Sequence, residues 1–337
     1  MQIEAVRREL EGLVIQPKLL ASLRETASLA STHFSTQIEG NRLTLPEVEK
    51  ARRGAKFPGR ERDEREVKHH FTALAYMEQI AEKPLLLSER EIQTLHALVM
   101  TGKPSASAYR TQQNVIRESG SGRIVYLPPE AADVPQLMAD LVTWVNTSLE
   151  DSAYPVPIIA ALAHYQFATI HPYLDGNGRT ARLLTTLILR RAGYGLGGIY
   201  SLDEHYATNL SAYYNALSIG HHNYYEGRAD ADVTSFVSYF CDGMDAAFAK
   251  IRAVTQKTAA ETTSSSDMFR ELDPRQRKLL ALFAKQGSAT SEDIAKYLKL
   301  SQRTVVALCR DWVRSGFLEL QNPSRKARSY RLGARYL

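Results

Sequence analysis

Apolar side chains recur at spacings of three and four along most of the chain, a periodicity that predicts a mainly α protein. Ile92, Leu95, Leu98 and Val99 share one face of a helix expected over Glu89 to Met100, with Ser88 as its N-cap and Pro84 stopping any earlier helix. A second is expected over Ala132 to Leu149, carrying Leu137, Leu141, Val142 and Trp144. Pro157 to Ile170 and Ala181 to Arg191 are strongly apolar, so the residues between them join two buried helices. Between the first two predicted helices the texture changes. Asn114-Val115-Ile116 and Arg123-Ile124-Val125-Tyr126 are β-prone and flank Glu118-Ser119-Gly120-Ser121-Gly122, which predicts a short hairpin ended by Pro128-Pro129. A lone hairpin in helical surroundings either decorates the surface or docks an extended peptide.

Thr258 to Asp267 clusters Thr, Ser and Glu with few apolar residues, and is the expected linker. After Pro274 the pattern repeats on a smaller scale. Arg277 to Lys285 forms a helix on Leu279, Leu280, Leu282 and Phe283; Ser291 caps a second holding Ile294, Ala295, Tyr297 and Leu298. Ser301 caps a third through Val305, Val306, Leu308, Cys309, Trp312 and Val313, closed by Gly316. Phe317-Leu318-Glu319-Leu320 and Ser329-Tyr330-Arg331-Leu332 are expected to pair as a hairpin with Arg325-Lys326-Ala327-Arg328 at its tip. The expected division is therefore an N-terminal helical region (1–85), a core (86–257), a linker (258–273) and a tail domain (274–337).

Charge adds an asymmetry. The net charge is +5, but residues 274–337 hold 14 Lys and Arg against 4 Asp and Glu, while the rest hold 28 against 33. A tail at +10 on a body at −5 points to a phosphate-rich partner for the tail, or to a solvated basic surface. No stretch reaches the roughly 18 consecutive apolar residues of a membrane helix, and Met1 to Leu10 lacks the apolar run of a signal peptide. A cytoplasmic protein is expected. Cys241 and Cys309 make no metal-ligand pattern and are expected as small core residues.

The chemistry concentrates in one loop, His171-Pro172-Tyr173-Leu174-Asp175-Gly176-Asn177-Gly178-Arg179-Thr180-Ala181-Arg182. Gly176-Asn177-Gly178 leads into an apolar helix starting near Arg179, and glycines there let successive N–H groups turn toward one anion. Arg179 and Arg182 add two guanidinium forks. Asp175 offers a hard oxygen beside the anion site, suited to Mg²⁺ held jointly with phosphates. His171 could take a proton from an attacking hydroxyl. Each part alone has a plain reading as a cap, a turn or a solvated arginine pair; their order together points to chemistry. There is no Gly-x-x-x-x-Gly-Lys-Ser/Thr pattern, which excludes a P-loop NTPase.

His171 through Arg182 resembles the signature of Fic-domain (Fido) proteins, His-Pro-Phe-x-Asp/Glu-Gly-Asn-Gly-Arg-x-x-Arg, with Tyr173 in place of Phe. The resemblance implies a helical Fic fold with a β-hairpin flap, and transfer of AMP from Mg·ATP to a Ser, Thr or Tyr hydroxyl of a protein. By the same carry-over His171 is the general base and Asp175 the Mg²⁺ ligand. Gly176, Asn177 and Gly178 hold phosphates with Arg179, and Arg182 reaches the γ-phosphate. The hairpin would align the target as an added strand. Tyr213 and Tyr214 fall where the family surrounds adenine, though tyrosines in such a helix are also ordinary core.

Ser35-Thr36-Gln37-Ile38-Glu39-Gly40 resembles the family's inhibitory Ser/Thr-x-x-x-Glu-Gly/Asn motif. If Glu39 pairs with Arg182, that arginine is not free for the γ-phosphate; otherwise Glu39 is an exposed helix end before a Gly cap. The tail resembles a winged helix-turn-helix domain. For nucleic acid, Gln302, Arg303, Thr304 and Arg310 would face the groove while Arg325, Lys326 and Arg328 meet phosphates. A protein-binding module or dimer contact is the competing reading. The sequence thus supports an autoinhibited protein adenylyltransferase acting on an unidentified target, itself included. The rivals are an AMP-removing enzyme using the same site and a DNA-binding regulator with a nucleotide-sensing core. Oligomeric state is open, a homodimer among the options.

Overall fold

The computed structural model describes residues 2–11, 17–83, 86–117, 122–322, 324 and 328–336. In chain order they form α1 (Gln2–Glu11), α2 (Pro17–Ile38), α3 (Leu45–Arg52), α4 (Glu61–Ala81) and α5 (Glu89–Thr101). A hairpin of β1 (Ile116–Arg117) and β2 (Ile124–Tyr126) follows, then α6 (Val134–Glu150), α7 (Val156–Ile170), α8 (Asn177–Leu189), α9 (Asp203–Thr208), α10 (Leu210–Leu217) and α11 (Thr234–Glu271). The chain divides into two units, Met1–Thr255 and Gln256–Leu337.

In the first unit α7 and α8 pack side by side, with α5 and α4 against α8 and α6 against α7. Both central helices read as buried because they are apolar on nearly every face, as Ile159, Ala160, Ala163 and Phe167 show on α7 and Leu184, Leu187 and Leu189 on α8, all 0% exposed. Their termini follow from local chemistry. α5 starts at Ser88, whose hydroxyl accepts the Glu91 N–H in a capping box, and ends at Gly102 in the left-handed region. α8 begins at Asn177, earlier than the apolar run suggested, because Gly176 takes φ 79° as its N-cap.

The expected boundary at residue 85 is not a boundary of packing. Ile38, Leu74, Met77 and Ile80 join Ile92, Leu95, Leu184 and Phe240 in one core, since α2 and α4 bury their apolar stripes against α9 and α8. The expected linker is also corrected: α11 runs as continuous helix through 258–271. Thr and Ser lower helix propensity only mildly, and no Gly or Pro intervenes between Gly243 and Pro274. The division between units falls at 255/256, inside this helix.

The second unit contains α12 (Pro274–Gln286), β3 (Ala289–Thr290), α13 (Ser291–Leu298), α14 (Gln302–Arg314), β4 (Leu318–Asn322) and β5 (Ser329–Leu332). The strands form an antiparallel sheet in the order β3-β5-β4, with Ala289 and Leu320 both opposite Tyr330. β3 was not expected. It also moves the cap of α13 to Thr290, whose hydroxyl accepts the Asp293 N–H, instead of Ser291. Leu279, Ile294, Val305, Cys309, Trp312 and Phe317 form this unit's own core. Cys309 is fully buried and Cys241 partly so. No helix among the described residues is long and apolar enough to cross a membrane.

Candidate active site

α7 stops where the candidate chemistry begins. His171 adopts φ 52° and ψ 59°, a left-handed cap whose N–H donates to the Phe167 carbonyl at 3.0 Å. A non-glycine residue there costs about 1–2 kcal/mol, so neighbours must hold it. Arg110 does so: its Nε donates to the His171 carbonyl at 3.0 Å and its backbone N–H to the Pro172 carbonyl at 2.9 Å. His171 Nδ1 lies 3.3 Å from the Ala168 carbonyl. An N–H there makes Nε2 the free lone pair, a tautomer assigned from the hydrogen bond. Burial holds the imidazole down to about 4, so it is neutral at physiological pH.

The rest of the loop is braced from within. Asn177 Oδ1 accepts the Tyr173 N–H at 3.0 Å and its Nδ2 donates to the Tyr173 carbonyl at 2.8 Å. The Asn177 side chain is therefore committed to the loop backbone, leaving its amide for any phosphate. Tyr173 is buried and stacks on His96 with centroids 3.5 Å apart and planes 6° off parallel. The ring keeps the packing expected of Phe, but its hydroxyl has no hydrogen-bond partner. His96 Nε2 reaches the Asp175 carbonyl at 2.9 Å. Asp175 itself is exposed; its Oδ1 accepts the Gly176 N–H at 2.6 Å and approaches Arg179 Nη2 at 3.6 Å.

Arg182, like Arg179, is a buried cation of the site, 3% exposed. Its Nε donates to Ser35 Oγ at 2.8 Å, and its Nη2 donates to the Ser35 carbonyl at 2.8 Å and to Glu39 Oε1 at 2.9 Å. Asp203 Oδ1 lies 3.3 Å from Nε. Burial opposes the charge, and the Glu39 and Asp203 carboxylates more than offset it. Arg182 Nη1 and Arg179 Nε remain buried without a hydrogen-bond partner. Glu39 ends the α2 turn before Gly40, which is left-handed at φ 89°, so the helix-end reading is also correct geometrically. Its carboxylate presses against Gly178, where a Cβ would collide with Glu39 Oε1. The acid thus occupies the N-terminus of α8, where amides and helix dipole favour an anion.

The fold brings His171, Asp175, Gly176, Asn177, Gly178, Arg179, Arg182, Ser35 and Glu39 together. It does not present Tyr213, which is 2% exposed, places its hydroxyl 2.9 Å from His164 Nε2 and stacks on Tyr206. The expectation for that tyrosine is corrected to core, because the ring faces inward on α10; Tyr214 beside it is 45% exposed. In the second unit Gln302, Arg303, Thr304 and Arg310 are exposed on α14 and Arg328 is exposed before β5, while Arg325 and Lys326 lie outside the described residues. Asp203 and Arg110 were missed. Both act across 20 or more positions of sequence, and no local pattern marks them.

Residues 86–189 match the model of the Fic/DOC family. It is similar to the protein named protein adenylyltransferase Fic of Drosophila willistoni, at 28% identity over 242 residues, which are 71% of this chain and 45% of that one. A second relative of the same name, from Drosophila mojavensis, is 28% identical over 66% of this chain and 41% of its own. The chain thus spans less than half the length of these curated relatives. A Fic family protein from Desulfovibrio desulfuricans superposes with a TM-score of 0.63 at 25% identity, covering 98% of this chain and 95% of that chain.

Proposed function

We propose that the chain is a protein adenylyltransferase that moves AMP from Mg·ATP to a Ser, Thr or Tyr hydroxyl, held in check by Glu39. One observation carries the reading: the glutamate in the turn that follows α2 lies on the buried Arg182 and against Gly178, at the position an ATP phosphate would need. The hydroxyl oxygen attacks the α-phosphorus, the bond to the β-phosphate oxygen breaks, and pyrophosphate leaves. His171 Nε2 takes the hydroxyl proton, for which its neutral form is suited. Arg179, Arg182 and the amides of Asn177 and Gly178 receive the phosphates, beside Gly176, whose N–H is held by Asp175 Oδ1. Asp175 fits a Mg²⁺ ligand, since it is an exposed hard carboxylate beside an anion site and this ion is content with one carboxylate, phosphates and water. When bound, the ion would neutralise phosphate charge. Among the described residues no group of three His, Cys, Asp or Glu forms a cage of its own. Tyr214 is the exposed aromatic we place at the base, and the β1–β2 hairpin the edge for a target strand.

The relatives' names support the reaction class. We read the second unit as a winged helix-turn-helix, with the exposed Gln302, Arg303, Thr304 and Arg310 of α14 facing a groove of DNA and Arg328 meeting its phosphates. The test compares wild type, Glu39→Gly and Glu39→Gly/His171→Ala with α-labelled ATP and Mg²⁺. Label on protein should rise in the single variant and vanish in the double. No label in all three, with ATP still bound, would overturn the transfer.

A further inference from the structure

β1 and β2 hold two and three residues, too few for a hairpin to keep its place through its own pairing. One side chain does much of this work. Arg110, 5% exposed, spends four of its five guanidinium donors. Nε donates to the His171 carbonyl at 3.0 Å. Nη1 donates to the Gln112 carbonyl at 3.2 Å and to Gln113 Oε1 at 3.0 Å, on the segment entering β1. Nη2 donates to the Pro129 carbonyl, on the segment leaving β2. Gln113 Nε2 then reaches the Pro128 carbonyl at 2.9 Å, and Asn114 Nδ2 the Tyr173 carbonyl at 3.0 Å. The two feet of the hairpin and the catalytic loop are thus drawn onto a single guanidinium.

All four acceptors are neutral. A buried cation hydrogen-bonded to no carboxylate is a costly way to join loops, which points to a use for the charge. The charged groups that face His171 are Arg110 from the segment before β1, Glu39 from the end of α2 and Asp175 from its own loop. The two carboxylates favour an imidazolium. Arg110 is the cation that opposes them, while Glu130 and Tyr225 face Arg110 itself.

We propose that Arg110 is the positioning residue of this site, tying the flap to the catalytic loop and supplying the field that keeps His171 Nε2 free to accept a proton. The proposal rests on His171 as the base. Its test therefore avoids turnover: histidine-labelled full-length chain is titrated by NMR, with the His171 signal identified by its loss in His171→Gln. Amide exchange is followed in parallel over 112–117 and 122–127. In Arg110→Met the His171 midpoint should rise, its single tautomer should give way to a mixture, and flap exchange should quicken by about tenfold or more while α7 and α8 keep their protection. Arg110→Lys should keep the low midpoint and lose the flap protection, because an ammonium cannot bridge three segments. Wild-type titration and flap protection in Arg110→Met would overturn the proposal. Should that variant fail to fold, full flap protection in Arg110→Lys would do so. Absence of label transfer alongside the expected NMR changes would sink the transferase reading and leave this one standing.

Discussion

Two helices of this chain each carry a pair of arginines, and they treat them in opposite ways. On α8, Arg179 and Arg182 are both 3% exposed, braced by Asp175, Ser35, Glu39 and Asp203. On α14, Arg303 and Arg310 stand in solvent along the face opposite Val305, Cys309 and Trp312. The residue type is the same and the energetics are not. A buried guanidinium is ordered before any ligand arrives and its unsatisfied donors are costly, which suits a few phosphates in fixed geometry. An exposed one gives attraction that salt screens and that no single residue controls.

The largest effect should come from removing the buried member. Arg182→Met leaves Asp203 buried beside an apolar chain and should cost about 3–5 kcal/mol, whereas Arg310→Met should change stability by less than about 0.5 kcal/mol. Urea unfolding read through Trp144 in one unit and Trp312 in the other measures both; equal losses would break the comparison. Acid should separate the units next. All 9 histidines precede residue 256, and burial holds His70 and His164 down to about 3 from an ordinary 6.5. Unfolded chains then bind the protons that the folded one refuses. Stability is intact above pH 6.5 and falls by about 1.4 kcal/mol per pH unit for each histidine as pH drops toward 3. Between pH 6.5 and 5, above the range in which the Asp293 and Glu319 carboxylates of the second unit take up protons, the Trp144 transition should shift with acid and the Trp312 transition should not. A smaller effect tests the loop: Tyr173→Phe removes a buried hydroxyl that pairs with nothing, and should leave stability unchanged or raise it by up to about 1 kcal/mol in thermal melts. A clear loss would mean that the hydroxyl has a partner in solution. Smallest in stability terms, Arg303→Ala/Arg310→Ala should fold as wild type while the salt slope of binding to a random 20-bp duplex falls by about 2; an unchanged slope would remove α14 from any such contact.

How much of this could be read in advance depended on range. The clustering of loop 171–182 was legible because its histidine, acid, glycines and arginines are contiguous, and the contact of Glu39 with Arg182 because the 35–40 motif is contiguous as well. α5 was legible through Ser88 and its apolar spacing. What was hidden lies in long-range packing. Arg110 reaches a residue 61 positions away, and Asp203 meets Arg182 only after α9 turns back on α2. The linker was misread because polar composition resembles a loop when no helix breaker is present to mark one. Tyr213 and Tyr214 are adjacent, so only the rotation of α10 decides which faces the core.

The missing side chain at Gly178 has a consequence for how this protein can change. Its empty Cβ position is filled by the Glu39 carboxylate, so any larger residue there displaces the acid and blocks the anion site in one stroke. On the proposed reading, release of restraint is separable from loss of function only by changes at Ser35 in α2 and at Glu39 just after it. In a genetic selection for unrestrained variants, survivors would accumulate around Ser35 and Glu39, and codon 178 would stay silent.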